Sequence, residues 1–427
     1  MTARNSKSRT ERSYTVVEVC AGAGGQALGL EKAGFQHQLA IELDETAAAT
    51  LKLNRPGWDI RVGDVADKSV WDPAQFEGVS LLAGGVPCPP FSIAGHQLGA
   101  SDERDLFSWA IEQVAIVQPR ALMLENVRGL SQPRFIAYRQ RVLTRLRELG
   151  YEPFWKLLHA SEHGVAQLRP RFVLVALKPE DAEYFTWPEA REDKKTVGET
   201  LKDLMSADGW PYADEWASMA SDIAPTLVGG SKKHGGADLG PTRAKAAWLQ
   251  LGVDGKGIAN KVPGPQSPHP AEVPPRLTIE MVRRLQGWND DEWSFTGKKT
   301  SQYRQIGNAF PPPVANAVGE AIIRAFNHVS VNQTYAAQLA QAADDPLFSL
   351  LNDNPGGTPE RLIYEGIPTL TPSKLAKRIS ALSHDFEIRQ TRVSGETFYH
   401  LGGFRGFTGQ EDHFRHEYMA ENRSKVS

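Results

Sequence analysis

Residues 14–35 read YTVVEVCAGAGGQALGLEKAGF. An apolar, valine-rich run comes first, then the glycine-dense turn AGAGG, then a helix-like stretch that closes on glycine. The same rhythm recurs three times downstream: HQLAIEL with DETAAATLKLN, VSLLAGGV with DLFSWAIEQVAIV, and ALMLENV with FIAYRQRVLTRLRELG. FVLVAL, after Arg171, reads as a further buried strand. Short apolar runs alternating with helical patterns are the signature of βαβ units, so the expected fold is α/β, a doubly wound parallel sheet of the Rossmann type.

Bulk properties agree with an ordinary globular chain. The chain has 427 residues, 41% hydrophobic and 23% charged, with two cysteines and a formal net charge of −3. That length accommodates two or three domains, and two cysteines are too few for a disulfide framework. The polar, basic opening MTARNSKSRTERS lacks the apolar centre of a secretion signal, and no apolar run reaches membrane-spanning length. A cytoplasmic protein with a short disordered arm at residues 1–13 is the expectation. The small negative total excludes a uniformly basic nucleic-acid binder but not a local basic face.

In an open parallel sheet, ligands lie beyond the carboxyl ends of the strands. The first strand ends at AGAGG, the second at Glu42, and the run near Ile60 leads to Asp64. A glycine turn allows close backbone approach at a helix start, and acidic residues at strand ends suit ribose hydroxyls. Together these point to a nucleoside-bearing cofactor, although the turn alone is also an ordinary strand–helix connection. No lysine follows in the pattern of a phosphate-binding loop.

The fourth strand runs into GGVPCPPFSIAG, residues 84–95, where Pro87, Pro89 and Pro90 stiffen a loop that carries Cys88. The fifth ends at Glu125-Asn126-Val127. A hairpin formed by YEPFWKLLHA and FVLVAL would bring Gln167, Arg169 and Arg171 to the same rim. A cysteine can simply be a small core hydrophobe, and a glutamate a capping carboxylate. Here both follow buried strands directly. Cys20, ending the first strand, could approach Cys88, but the spacing is neither a redox nor a zinc motif, and no metal is expected.

Taken together, GAGG with LGLEKAGF, the PC dipeptide, ENV, QxRxR and GNAFPPPVANAVGEAI, in this order, resemble the DNA (cytosine-5)-methyltransferases of bacterial restriction–modification systems. The resemblance spans about Tyr14 to Phe326. It implies S-adenosylmethionine as cofactor, held by Cys20, Ala21, Gly22, Gly24, Gly25, Glu42, Leu43, Asp64, Val65, Pro87, Asn308 and Ala309. It implies Cys88 as the nucleophile toward C6 of a flipped-out cytosine, Glu125 at N3 and the exocyclic amine with a raised pKa, Arg171 at O2, and Arg169 orienting the loop. It also implies that the helix after Pro313 returns to pack beside the first strand. Three positions depart from the family pattern: Cys20 where Phe is frequent, Leu43 where an aromatic is common, and Pro89 where Gln often follows the nucleophile.

The resemblance divides the chain into a cofactor-binding first segment (14–180), a target-recognition region (181–274), a second catalytic segment (275–328) and an extension (329–427). The recognition region shows no clear period and closes on VPGPQSPHPAEVPP, with six prolines in fourteen residues. From Gly229 to Lys261 it holds six Lys or Arg against two Asp, a local +4 within a chain of −3. Basicity is therefore concentrated where DNA is expected, with Thr226, Leu227, Lys232, Lys233, Arg243 and Lys245 as candidate contacts. Double-stranded DNA is the expected partner, a companion restriction endonuclease a further one, and a monomer the expected state. A tRNA cytosine-5 methyltransferase and a non-catalytic DNA-binding regulator are the competing readings. In the extension, TPSKLAKRISAL reads as a capped amphipathic helix.

Overall fold

The computed structural model describes residues 13–86, 106–132, 135–229, 237–329 and 345–404. Pro87, Cys88, Pro89, Lys232 and Lys233 lie outside the described residues. A seven-stranded sheet forms the centre, in the order β3-β2-β1-β4-β5-β7-β6. Its strands are β1 (Tyr14–Val19), β2 (Phe35–Glu42), β3 (Ile60–Val62), β4 (Leu81–Gly84), β5 (Ala121–Val127), β6 (Glu152–His159) and β7 (Pro170–Leu177). The first five pair in parallel, whereas β7 runs antiparallel to both β5 and β6. The doubly wound parallel sheet thus carries an antiparallel edge, where the expected hairpin of β6 and β7 cannot make a parallel crossover.

Helices α1 (Gly25–Ala33), α2 (Glu45–Asn54), α3 (Leu106–Val117) and α4 (Ile136–Glu148) connect the parallel strands or follow them. Local chemistry sets their ends. Asp44 caps α2 by accepting the amides of Thr46 and Ala47 at 2.9 Å, and α1 stops where Gly34 takes φ 110° and returns its amide to Glu31 O and Leu30 O. Near-continuous apolar strands such as LLAG and FVLVAL are buried because helices cover both sheet faces.

After the single turn α5 (Pro179–Ala182) come α6 (Val197–Ser206), α7 (Ala213–Met219), α8 (Thr242–Gln250), α9 (Ile279–Leu285), α10 (Lys299–Asn308) and α11 (Pro312–Phe326). The region without a clear period therefore contains three helices, of ten, seven and nine residues, too short to print a long periodicity. Trp216, Trp248, Trp288 and Trp293 are 1% exposed or less, in one core with Ala27, Leu28 and Leu51 of the sheet domain. Each such burial stabilises by a few kcal/mol, so the recognition region and the cofactor segment share a core. Helix α11 returns to α1 and the first strand, where Phe326 meets Tyr14 at 5.1 Å between ring centroids.

The extension folds as helices Pro346–Asn352, Glu360–Gly366 and Pro372–Asp385 with a small sheet of β8 (Thr358–Pro359), β10 (Glu396–Phe404) and β9 (Phe386–Val393). Thr371 caps the last helix through the Lys374 amide, as TPSK suggests. This unit docks on α4, with Asp345 and Ser349 held by Gln140 and Phe404 against Tyr138. Among the described residues no helix is long and apolar enough to cross a membrane.

Candidate active site

The glycine turn, the acidic strand ends and the arginine hairpin share one rim of the sheet. At the end of β1, Cys20 adopts φ +53° and Gly22 φ +56°, both left-handed. This curl turns the Gly22 amide onto Glu42, which accepts it through Oε2 at 2.7 Å and the Asp44 amide through Oε1 at 2.8 Å. Burial raises the Glu42 pKa, and the backbone amides work against that by favouring the carboxylate. Asp64 follows β3, half-buried, and turns the chain through the Ala66 amide at 3.0 Å. Ala21 and Val65 are buried, and Leu43 is half-buried beside Glu42.

The three glycines of the turn do different work. A Cβ on Gly22 would meet nothing within 4 Å, so its face is open. Cβ atoms on Gly24 and Gly25 would fall 2.4 Å from Trp293 Cζ2 and 2.3 Å from Phe310 O. A side chain at either position would therefore collide with neighbouring segments of the same chain, which is why both are glycine. An open cradle at Gly22 beside a backbone-held carboxylate fits the methionine and ribose ends of S-adenosylmethionine.

Glu125 and Arg171 form the second half of the rim. Strand β5 runs to Val127, so Glu125 lies within it and pairs with Val173 of β7, while Val127 pairs with Arg171. Arg171 Nε meets Glu125 Oε1 at 2.5 Å, each side chain 12% exposed. Burial raises the Glu125 pKa above the usual carboxylate range, while Arg171 and then Arg169 pull it down. Burial lowers the Arg171 pKa too, opposed by Glu125. A Cβ placed on Gly85, at the end of β4, would lie 3.6 Å from Glu125 Oε2 and 3.7 Å from Cys20 O. Gly85 thus lies between the glycine turn and the carboxyl, at ordinary contact distance from both. Cys88 follows Gly85 by three positions in the sequence and lies outside the described residues.

Two expectations, at Gln167 and Leu227, are corrected. Gln167 does not face the rim: it is fully buried, accepts the Leu227 amide at 2.7 Å and donates to Gln286 Oε1 at 2.6 Å. Arg169, expected to orient the loop, is 1% exposed and donates to Leu227 O at 2.8 Å and Ala309 O at 2.7 Å, so its guanidinium holds neighbouring backbone beneath the rim. Leu227 is 1% exposed in the tryptophan core, so its side chain is withdrawn from any duplex. Apolar burial outweighs the positional hint of the Thr-Leu pair.

Of the remaining candidates, Thr226 is half-buried, Arg243 is exposed on the first turn of α8, and Lys245 Nζ pairs with Asp238 at 2.8 Å. Asn308 ends α10, exposed, with its side chain against Gly229. Gln286 carries no motif that marks it in the sequence. Its one signal is position, directly after the apolar stripe of α9.

A mostly parallel sheet with a glycine turn, a ribose-suited carboxylate and a buried Glu–Arg pair on one rim fits an enzyme that uses a nucleoside-bearing cofactor. Residues 14–324 match the model of the C-5 cytosine-specific DNA methylases, and the chain belongs to that family. It is 57% identical over 417 residues to the Type II methyltransferase M.NaeI of Lentzea aerocolonigenes, covering 97% of this chain and 100% of that one. To the Type II methyltransferase M.NgoMIV of Neisseria gonorrhoeae it is 50% identical over 316 residues, covering 73% and 98%. The methyltransferase EhMeth of Entamoeba histolytica shares the fold, with a TM-score of 0.50 at 13% identity over 75% of this chain and 100% of that one. The protein is accordingly a DNA cytosine-5 methyltransferase that uses S-adenosylmethionine.

Proposed function

We propose that this enzyme modifies one specific duplex sequence, as the methyltransferase of a Type II restriction–modification pair, through a covalent adduct between Cys88 and cytosine C6. The observation that carries the reading is the Glu125–Arg171 pair beside the glycine turn. C5 of cytosine is a weak nucleophile while the ring is aromatic. The Cys88 thiolate donates an electron pair to C6, and the ring electrons move toward N3, leaving C5 enamine-like. Glu125, its pKa raised by burial, shares a proton with N3 as negative charge gathers there, and Arg171 holds O2. The cofactor, held at Gly22, Glu42 and Asp64, supplies an electrophilic methyl for C5. Loss of the C5 proton to a base then returns the electron pair that expels the thiolate. A base stacked in a duplex cannot reach this rim, so the target cytosine is flipped out.

The recognition region contributes phosphate and base contacts from Arg243, Lys232, Lys233 and half-buried Thr226. A companion endonuclease cutting the same site, a monomeric state and a cytoplasmic location complete the proposal. The test is transfer from methyl-labelled S-adenosylmethionine to duplex DNA and to tRNA, followed by methylation-sensitive sequencing of DNA from expressing cells. Label at one duplex sequence supports the reading. Label in tRNA alone, or at cytosines regardless of context, contradicts it.

A further inference from the structure

Six hydrogen bonds close a buried circuit beneath the rim. Leu227 gives its amide to Gln167 Oε1 at 2.7 Å, and its carbonyl accepts from Arg169 at 2.8 Å. Ala309 O accepts from Arg169 and from Gln286 Nε2, both at 2.7 Å. Gln167 Nε2 donates to Gln286 Oε1 at 2.6 Å and to Leu285 O at 3.1 Å. The circuit joins the β6–β7 turn, the segment 226–229, the end of α9 and the α10–α11 junction, and its three side chains are 1% exposed or less. Two residues beyond Arg169 stands Arg171, gripping Glu125.

The segment 226–229 also abuts the end of α10. A Cβ on Gly229 would lie 2.4 Å from Asn308 Oδ1, and one on Gly307 2.5 Å from Gly229 N. Displacement of residues 226–229 therefore meets Arg169 on one side and Asn308 on the other. Close-packed interiors pass such a displacement on rather than absorb it.

We infer that this circuit links target reading to chemistry, with Gln286 as a positioning residue for the Glu125–Arg171 pair. The inference rests on that pair being catalytic. Gln286 sits between the two segments and uses its amide in both senses, accepting from Gln167 and donating to Ala309 O. Leucine does neither at nearly the same volume. In a Gln286→Leu variant, Gln167 Nε2 keeps Leu285 O and Ala309 O keeps Arg169, so no partner is orphaned and the fold is retained.

The experiment compares wild type, Gln286→Leu and Glu125→Gln on duplexes carrying the mapped site or a single mismatch. For Gln286→Leu, affinity for S-adenosylmethionine and duplex is expected within about 3-fold, because the Gln286 side chain is fully buried and touches neither, while kcat falls roughly 10–100-fold from misplacement. Discrimination against the mismatch narrows. A loosened Arg171 no longer lowers the Glu125 pKa, so the pH limb of kcat belonging to this carboxyl moves upward. A merely structural role would reduce the amount of active enzyme and leave the pH limb and the discrimination in place, and that result overturns the inference. Should the leucine variant unfold, Gln286→Met is read by the same criteria. Normal turnover in Glu125→Gln would instead remove the catalytic reading beneath it.

Discussion

Among the described residues, Glu125 and Glu18 are two buried carboxylates of this sheet that meet a basic side chain, and they differ in their access to the rim. Glu125 and Arg171 each keep 12% side-chain exposure at the strand ends. Glu18 of β1 pairs with His37 of β2 at 2.9 Å with both side chains fully buried, and Trp58 stacks on the imidazole at 3.9 Å. Burial raises both carboxyl pKa values. Pairing, burial and a shifted pKa are thus common to both, and what separates them is access. The sealed pair can only serve the fold, whereas the open pair can exchange its arginine contact for a substrate.

Parallel substitutions sharpen this contrast. Glu125→Gln should lower kcat roughly 10²–10⁴-fold, the range of lost general acid–base assistance, with melting little changed. Near-normal turnover would erase the distinction. His37→Ala leaves Glu18 buried without its partner and should cost on the order of 3–5 kcal/mol in urea unfolding, with kcat per folded molecule preserved. A loss of kcat without a loss of stability would give the sealed pair a role in catalysis.

The pH dependence is smaller and its sign is fixed. A carboxyl whose pKa is raised in the folded state contributes stability below its ordinary value of 4.5, and that contribution fades as pH rises through the folded value. Glu18→Gln should therefore flatten the decline of stability above pH 4.5, and an unchanged slope would contradict the assignment. The smallest effect is expected at the recognition face, where Arg243→Ala should reduce the slope of log affinity against log salt by about 1 if this exposed arginine meets a phosphate.

The sheet is legible in the sequence because buried strands and amphipathic helices print their periods, and because strand ends in such a sheet gather ligands. Glu42, Glu125 and Arg171 stand out on that ground alone. Other features depend on long-range packing. Thr196 and Glu199 spell a capping box for α6, yet that helix becomes visible only with the tryptophans that bury it. Leu227 reads as a DNA contact until the core claims its side chain, and Gln167 points to the rim only in one dimension. Gln286 needs four distant segments in place before its amide has any meaning. Cys88 lies outside the described residues, and its assignment rests on the stiff PCPP loop and the family pattern.

The central claim is that a cytosine lies on this rim, held by Glu125 and Arg171, with C6 presented to Cys88. A duplex carrying 5-fluorocytosine at the target position tests it most directly, because fluorine cannot leave C5 as a proton and the adduct persists. With S-adenosylmethionine present, mass spectrometry should find the nucleotide bonded to Cys88. An adduct on Cys20, or none despite normal methylation of the unfluorinated duplex, would contradict the account.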